Sequence, residues 1–207
     1  MAPMFQRSAF LITLALVAAN LAACRAGDRP VAFERAETAA AAAAALTLES
    51  AAFADGQPIP LRYSAYGDDV SPPLAWQPVA GAKSYALLME DPDADRPEPY
   101  LHWLAWNIPA GVTSLPEGLT AGPRLAEPDG MLQGTNDRGS IGYFGPRPPA
   151  GSGIHRYHVQ VFALDTLLEV EPGAGRDALL GAMRGHVVDK GVLVGTYAGP
   201  EEAAQSE

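Results

Sequence analysis

From residue 46 onward the apolar residues come in short runs separated by proline, glycine and acidic turn residues, the texture of buried strands rather than of helices. Leu46-Thr47-Leu48 and residues 59–63, 84–89, 101–108, 157–164 and 192–197 predict strands, and Ser71-Pro72-Pro73-Leu74-Ala75-Trp76 predicts a turn entering an extended segment. One helix is predicted over 176–188, where Leu179, Leu180, Met183 and Val187 recur on one face. Many short strands with regular turn signals and a single helix predict an all-β-dominated sandwich of two sheets with a short C-terminal helical segment. Residues 46–199 are expected to form it as one domain without internal repeats, followed by a disordered tail over 200–207.

Period-two alternation also predicts which side chains share a face. In 85–93 it aligns Asp91 with Tyr85, Leu87 and Met89, so that the carboxylate sits at the rim of an apolar row. In 100–109 it places His102, Leu104, Trp106 and Ile108 together, and in 154–164 it places His155 and Tyr157 with Val159 and Val161 while Arg156 and His158 turn away. The segment before His155 is stiffened by Pro146, Pro148 and Pro149 and loosened by Gly145, Gly151 and Gly153. Such a loop is expected to aim amide N–H groups into a shared anion-binding concavity.

The N-terminus has a different pattern. One cation at Arg7, an apolar run over 9–19 and Leu21-Ala22-Ala23-Cys24 predict a signal peptide over 1–23, too short to span a bilayer. The ending resembles a lipoprotein signal, which implies acylation of Cys24, the only cysteine in the chain, and stable membrane anchoring. Arg25 after that cysteine resembles lipoproteins sent to the outer membrane of a diderm bacterium, facing the periplasm. Residues 24–45, with seven consecutive alanines at 39–45, lack an apolar stripe and are expected to be a tether. Removal of the signal leaves 13 basic against 24 acidic residues, a net charge of −11, which argues against a nucleic-acid partner.

Taken in order, several segments resemble the phosphatidylethanolamine-binding protein family, in its bacterial Raf kinase inhibitor-like branch. They are Ser71-Pro72-Pro73-Leu74 with Trp76, Asp91-Pro92-Asp93-Ala94, His102-Trp103, Asn107-Ile108-Pro109 and Gly134 with Asn136-Asp137. Gly142-Tyr143, Gly145-Pro146, Pro148-Pro149, Gly151, His155-Arg156-Tyr157 and Leu193-Val194-Gly195-Thr196-Tyr197 complete the set. The resemblance implies a sandwich with a small anion pocket at one end, with Asp91, His102 and His155 in it, the loop containing Gly145 and Pro148 as its wall, and Tyr157 close by. Asp95 stands where many relatives have proline, which alters one rim in charge and shape.

The expected function is non-catalytic binding of a small phosphorylated or zwitterionic ligand: phosphate, phosphoethanolamine or a phospholipid head group. The histidines would supply donors, and Asp91 would orient an imidazole or receive an ammonium group. No cofactor and no metal is expected, because the histidines lack metal-motif spacing. Nor are catalytic residues expected: Gly151-Ser152-Gly153 is not a nucleophile elbow, and His186 is expected to cap or pack on the helix. The alternative is a protein-interaction or inhibitor module, its protein partner unknown, acting through a charged rim of Asp93, Asp95, Arg96, Glu98 and Arg147. For the anchor the test is direct: a Cys24→Ala chain expressed in its bacterial host should leave the membrane fraction and appear as soluble protein, whereas continued membrane retention would refute lipidation as the tether.

Overall fold

The computed structural model describes residues 46–201. Cys24, the signal segment, the alanine-rich tether and the tail from residue 202 lie outside the described residues. Two antiparallel sheets are formed. The smaller contains β1 (Leu48–Glu49), β2 (Leu74–Trp76) and β5 (Ser114–Leu115), in the order β1-β2-β5. The larger contains β3 (Ser84–Asp91), β4 (Tyr100–Pro109), β6 (Leu132–Gln133), β7 (Ile154–Leu164) and β8 (Val187–Ala198), in the order β6-β4-β3-β7-β8. One helix, α1 (Arg176–Met183), links β7 to β8. This is the β-dominated two-sheet architecture with a short helix that the apolar pattern predicts.

β3 explains the layering. All eight of its residues are buried, so alternate side chains enter two different cores. Tyr85, Leu87 and Met89 meet the smaller sheet through Leu48, Leu74, Trp76 and Leu115. Ala86 and Leu88 face the other way, where Leu179 and Met183 of α1 and Leu168 cover the large sheet.

β4 departs from simple alternation. Its register against β3 slips between Tyr85 and Leu87 and again between Met89 and Glu90, leaving Asn107 and His102 among the extra residues of two bulges. Each bulge reverses the facing of the residues beyond it. Leu104 and Trp106 therefore pack on the helix side, while Trp103, Ala105 and Ile108 pack on the smaller-sheet side. The expected single row of His102, Leu104, Trp106 and Ile108 is thus split. Asn107 is held at φ 53°, and its amide bonds both the N–H (2.8 Å) and the carbonyl (3.0 Å) of Leu168.

Residues 59–63 do not form a strand: Leu61–Tyr63 is a 3-10 turn, and Pro58 makes only an isolated bridge to Thr196. The helix stops at Met183 because Gly185 adopts φ 77°, a conformation open to glycine. Val187, which shares the apolar spacing of the helix, instead begins β8. His186 lies in that turn with its Nδ1 2.8 Å from Asp165 Oδ1, and it does not cap the helix by its side chain.

Gln133 shows how the sheet edge is closed. Its Oε1 accepts the buried Trp103 indole N–H at 2.8 Å, and its Nε2 donates to the Thr120 and Gly122 carbonyls at 2.9 and 3.0 Å. Gln133→Leu would orphan a buried donor and remove both loop contacts, at a cost of about 2–4 kcal/mol. A lowered urea midpoint with an unchanged slope is the expected result, and an unchanged midpoint would contradict this accounting.

Candidate ligand pocket

The ends of β3, β4 and β7 meet beside the loop over 144–152 and enclose a cavity of about 530 Å³. Asp91 comes from the last position of β3, Tyr100 and His102 from the start of β4, and His155 and Tyr157 from the start of β7. The β4 bulge is what turns His102 to this side. In β7 regular alternation suffices: Tyr157, Val159 and Val161 lie on the smaller-sheet face, as the sequence predicts.

Both histidines are held from behind. His102 Nδ1 lies 2.7 Å from the Phe144 carbonyl, and His155 Nδ1 lies 2.8 Å from Asp91 Oδ2. With their Nδ1 atoms engaged, the Nε2 edges are left for the cavity. Asp91 is itself fixed, because its other oxygen accepts the Asp93 N–H at 2.8 Å in an Asx-type turn. Of the two roles expected for this carboxylate, the geometry realises the orienting one. Around His102 the rings are dense: Phe144 stacks on it at 5.5 Å and 4°, Tyr157 meets it edge-on at 5.1 Å, and Tyr100 leans on it at 4.9 Å.

The two rings differ electrostatically. The Asp91 hydrogen bond raises the proton affinity of His155 against the opposing effect of burial. Burial dominates at His102 and lowers its proton affinity, with the Phe144 carbonyl and the Asp91 charge only partly compensating. Burial also drives the Tyr157 hydroxyl far up, so it remains a neutral phenol beneath the cavity. Asp93 would be raised by burial, but Arg156 overrides this with side-chain bonds of 3.0 Å from Nε and Nη2 and a backbone N–H bond of 2.9 Å, and holds the carboxyl below its ordinary value.

Most amides of the wall loop are taken up by the protein itself, while the Arg147 N–H is directed toward the Tyr157 hydroxyl in the cavity lining. Phe144 N–H bonds the His102 carbonyl, Gly145 N–H bonds Asp69 Oδ1 at 2.7 Å, and the Gly151 and Ser152 amides bond the Pro200 and Pro149 carbonyls. The prolines have no N–H to offer. Gly145 is not part of the lining. Its Cα packs so closely against residues 63–65 that a Cβ would collide with the Tyr63 carbonyl oxygen, so it seats the wall rather than the ligand. Pro148, Pro149, Phe144 and Tyr100 line the cavity, and the last two went unnoticed in the sequence. Tyr100 stands two residues before His102 at the mouth of β4, and that spacing was the available signal.

On the rim, Asp93, Asp95, Arg96 and Arg147 all border the cavity. Glu98 does not; it turns to Arg176 at 3.3 Å on the helix side. Arg96 is paired with Asp137 at 2.9 Å, and Arg147 lies over the Tyr66 ring. Among the described residues, no group of three or more His, Cys, Asp or Glu is arranged to hold a metal ion.

A family model described as phosphatidylethanolamine-binding protein matches residues 49–198. A UPF0098 protein of Methanothermobacter thermautotrophicus is 47% identical over 153 residues, covering 73% of this chain and 98% of that protein. A Mycobacterium tuberculosis protein whose name marks it as a candidate lipoprotein, LppC, is 40% identical over 164 residues, covering 79% of this chain and 78% of its own. Among solved structures, Escherichia coli YbcL, described as a new member of the mammalian PEBP family, superposes with a TM-score of 0.69 at 28% identity, over 74% of this chain and 98% of that one.

Because the native pair raises the proton affinity of His155, its stabilising contribution is complete below the unfolded histidine value of about 6.5 and fades as pH rises through the raised native value. Proton NMR of the ring Hε1 signals is expected to give a midpoint above the ordinary histidine value for His155 and below it for His102. Asp91→Asn should lower the His155 midpoint. The opposite order of the two midpoints would contradict the assignment.

Proposed function

The chain belongs to the phosphatidylethanolamine-binding protein family, and from that premise we propose that it binds a small phosphate-bearing ligand in this cavity without turning it over. Family and fold support a ligand-binding or regulatory role in general. One observation carries the finer reading: two buried histidines, each anchored through Nδ1 by a protein acceptor, line one aromatic-walled cavity, which leaves Nε2 as the ring nitrogen free to meet a ligand. A charged His155 supplies a charge-assisted donor to an anion, and Arg147 adds a cation at the mouth, where Arg96 is already paired with Asp137.

Binding without chemistry is supported by what borders the cavity. Ser152 Oγ is exposed and donates to the Pro149 carbonyl, and no histidine bonds it. The charged rim is mostly bound to the protein itself, Asp93 to Arg156 and Arg96 to Asp137, which favours the cavity over the rim as the recognition surface. The name of the LppC relative supports a lipid-anchored protein, and the pattern of the chain itself supports residues 1–23 as signal and 24–45 as tether, with the domain held at a membrane surface. We extend this to the outer membrane, facing the periplasm, on Arg25 alone.

Phosphorus NMR of the full-length protein in a phosphate-free detergent tests the reading. Inorganic phosphate should broaden or shift in the presence of the protein. His155→Ala should weaken binding by about 10- to 100-fold, the worth of one charge-assisted hydrogen bond, while circular dichroism shows an intact fold. Absence of any effect on phosphate, phosphoethanolamine or a short-chain phospholipid would remove the reading.

A further inference from the structure

The two histidines are anchored by acceptors of different kinds, and this bears on what they offer a ligand. A carbonyl oxygen accepts and cannot donate, so His102 Nδ1 carries a hydrogen in every protonation state of the ring. Nε2 of the neutral ring is then a bare lone pair directed at the cavity. His155 Nδ1 also bears hydrogen, but its acceptor is a carboxylate with a full negative charge, which stabilises the imidazolium and makes Nε2 a donor. The cavity thus presents one donor and one acceptor edge, rather than two donors.

His102 is surrounded in a way that preserves this difference. Asp91 approaches from β3, Tyr100 from β4, and Tyr157 and His155 from β7. Phe144 covers one ring face, with Arg138 over the far side of that phenyl at 4.7 Å, and Asp69 and Asp137 are the remaining carboxylates whose charges act on it. The acid whose charge acts most on it, Asp91, is already committed to His155. Burial among rings then outweighs the acids, so that around the ordinary histidine value His102 favours the neutral ring and His155 the charged one.

Resting on the phosphate-binding reading above, we propose that the pocket selects phosphate groups that retain a proton, inorganic phosphate and phosphomonoesters in the form R–O–PO2(OH)−, over phosphodiesters and sulfate. An unprotonated phosphate oxygen receives the His155 Nε2–H, while the P–OH donates to His102 Nε2. No covalent bond changes. If the shared proton passes to His102, the phosphate goes from −1 to −2 as the ring becomes +1, and the total charge is conserved. A diester or sulfate has no proton to share at these pH values. It must face the lone pair of His102 unpaired or draw a proton from solvent, and an unpaired buried polar group is costly. The cavity, at about 530 Å³, has room beyond the phosphate for an ester substituent along Tyr100, Pro148 and Pro149.

The test is calorimetric titration of the full-length protein in phosphate-free detergent at a pH near 6.5, with inorganic phosphate, O-phosphoethanolamine, dihexanoyl phosphatidic acid, glycerophosphoethanolamine and sulfate. The three proton-bearing ligands should bind at least about tenfold more tightly than the diester and sulfate, the worth of one buried hydrogen bond. Comparison of phosphatidic acid with O-phosphoethanolamine distinguishes a lipid-borne monoester from a soluble one. The preference should narrow as pH falls and His102 itself becomes charged. His102→Gln, whose amide can donate as well as accept, should weaken phosphate binding more than sulfate or diester binding and so reduce the preference to about twofold. Equal affinity of all five ligands at this pH, or a preference unaffected by His102→Gln, would overturn the inference while leaving the pocket an anion site. Failure of all five to bind would instead remove the phosphate-binding reading itself.

Discussion

Burial of β3 on both faces is the constraint on which the rest of this structure depends. A strand with no wet side can carry charge only near its end, and there each ionic group must find a partner in the layer it faces. Glu90 and Asp91 are consecutive, so they face opposite layers. Glu90 turns to the helix side, where Arg176 Nη2 reaches it at 2.8 Å from the first turn of α1. Asp91 turns to the smaller-sheet side and meets His155. One pair ties the helix to the sheet and the other builds the pocket. Removing either partner of a buried pair leaves an uncompensated charge, so the two pairs hold the helix and the pocket in place from adjacent positions.

From Asp91 the pocket is built in steps. Its carboxylate fixes the His155 ring and closes the turn through Asp93, and Arg156, on the opposite face of β7, clamps Asp93 from the other side. His102 enters by a different route, through the β4 bulge and the Phe144 carbonyl. The two imidazoles are thus chemically alike in the chain and unlike in the fold. A carboxylate behind one and a carbonyl behind the other decide how each treats a proton.

Much of this was legible in the chain. The apolar runs marked β3, β4, β7 and β8, and alternation placed Asp91, His155 and Tyr157 correctly relative to the core, because regular strands keep a period of two. The β4 row failed for a local reason: a bulge adds one residue without a composition signal, and two occur within ten positions. The end of α1 was misplaced because Val187 suits either a helical stripe or a strand, and Gly185 decided between them. The loop over 144–152 was expected to supply amides, but those of Phe144, Gly145 and Gly151 pair with carbonyls and a carboxylate distant in sequence, and that of Ser152 turns back to Pro149. The family resemblance puts Gly145 in the pocket wall and its charge puts Glu98 on the rim, but contacts with Tyr63 and Arg176 hold them outside the cavity lining.

The amino-acid sequence by itself determined the layer architecture, the overall negative charge and the residue types that converge on the pocket, because periodicity, composition and ordered motifs are local properties of a chain. Which acceptor stands behind each histidine was decided only in three dimensions. The Asp91–His155 and His102–Phe144 contacts join residues 64 and 42 positions apart. Proton affinity depends on burial and on charges within a few ångströms, and those distances exist only once β3, β4 and β7 have paired.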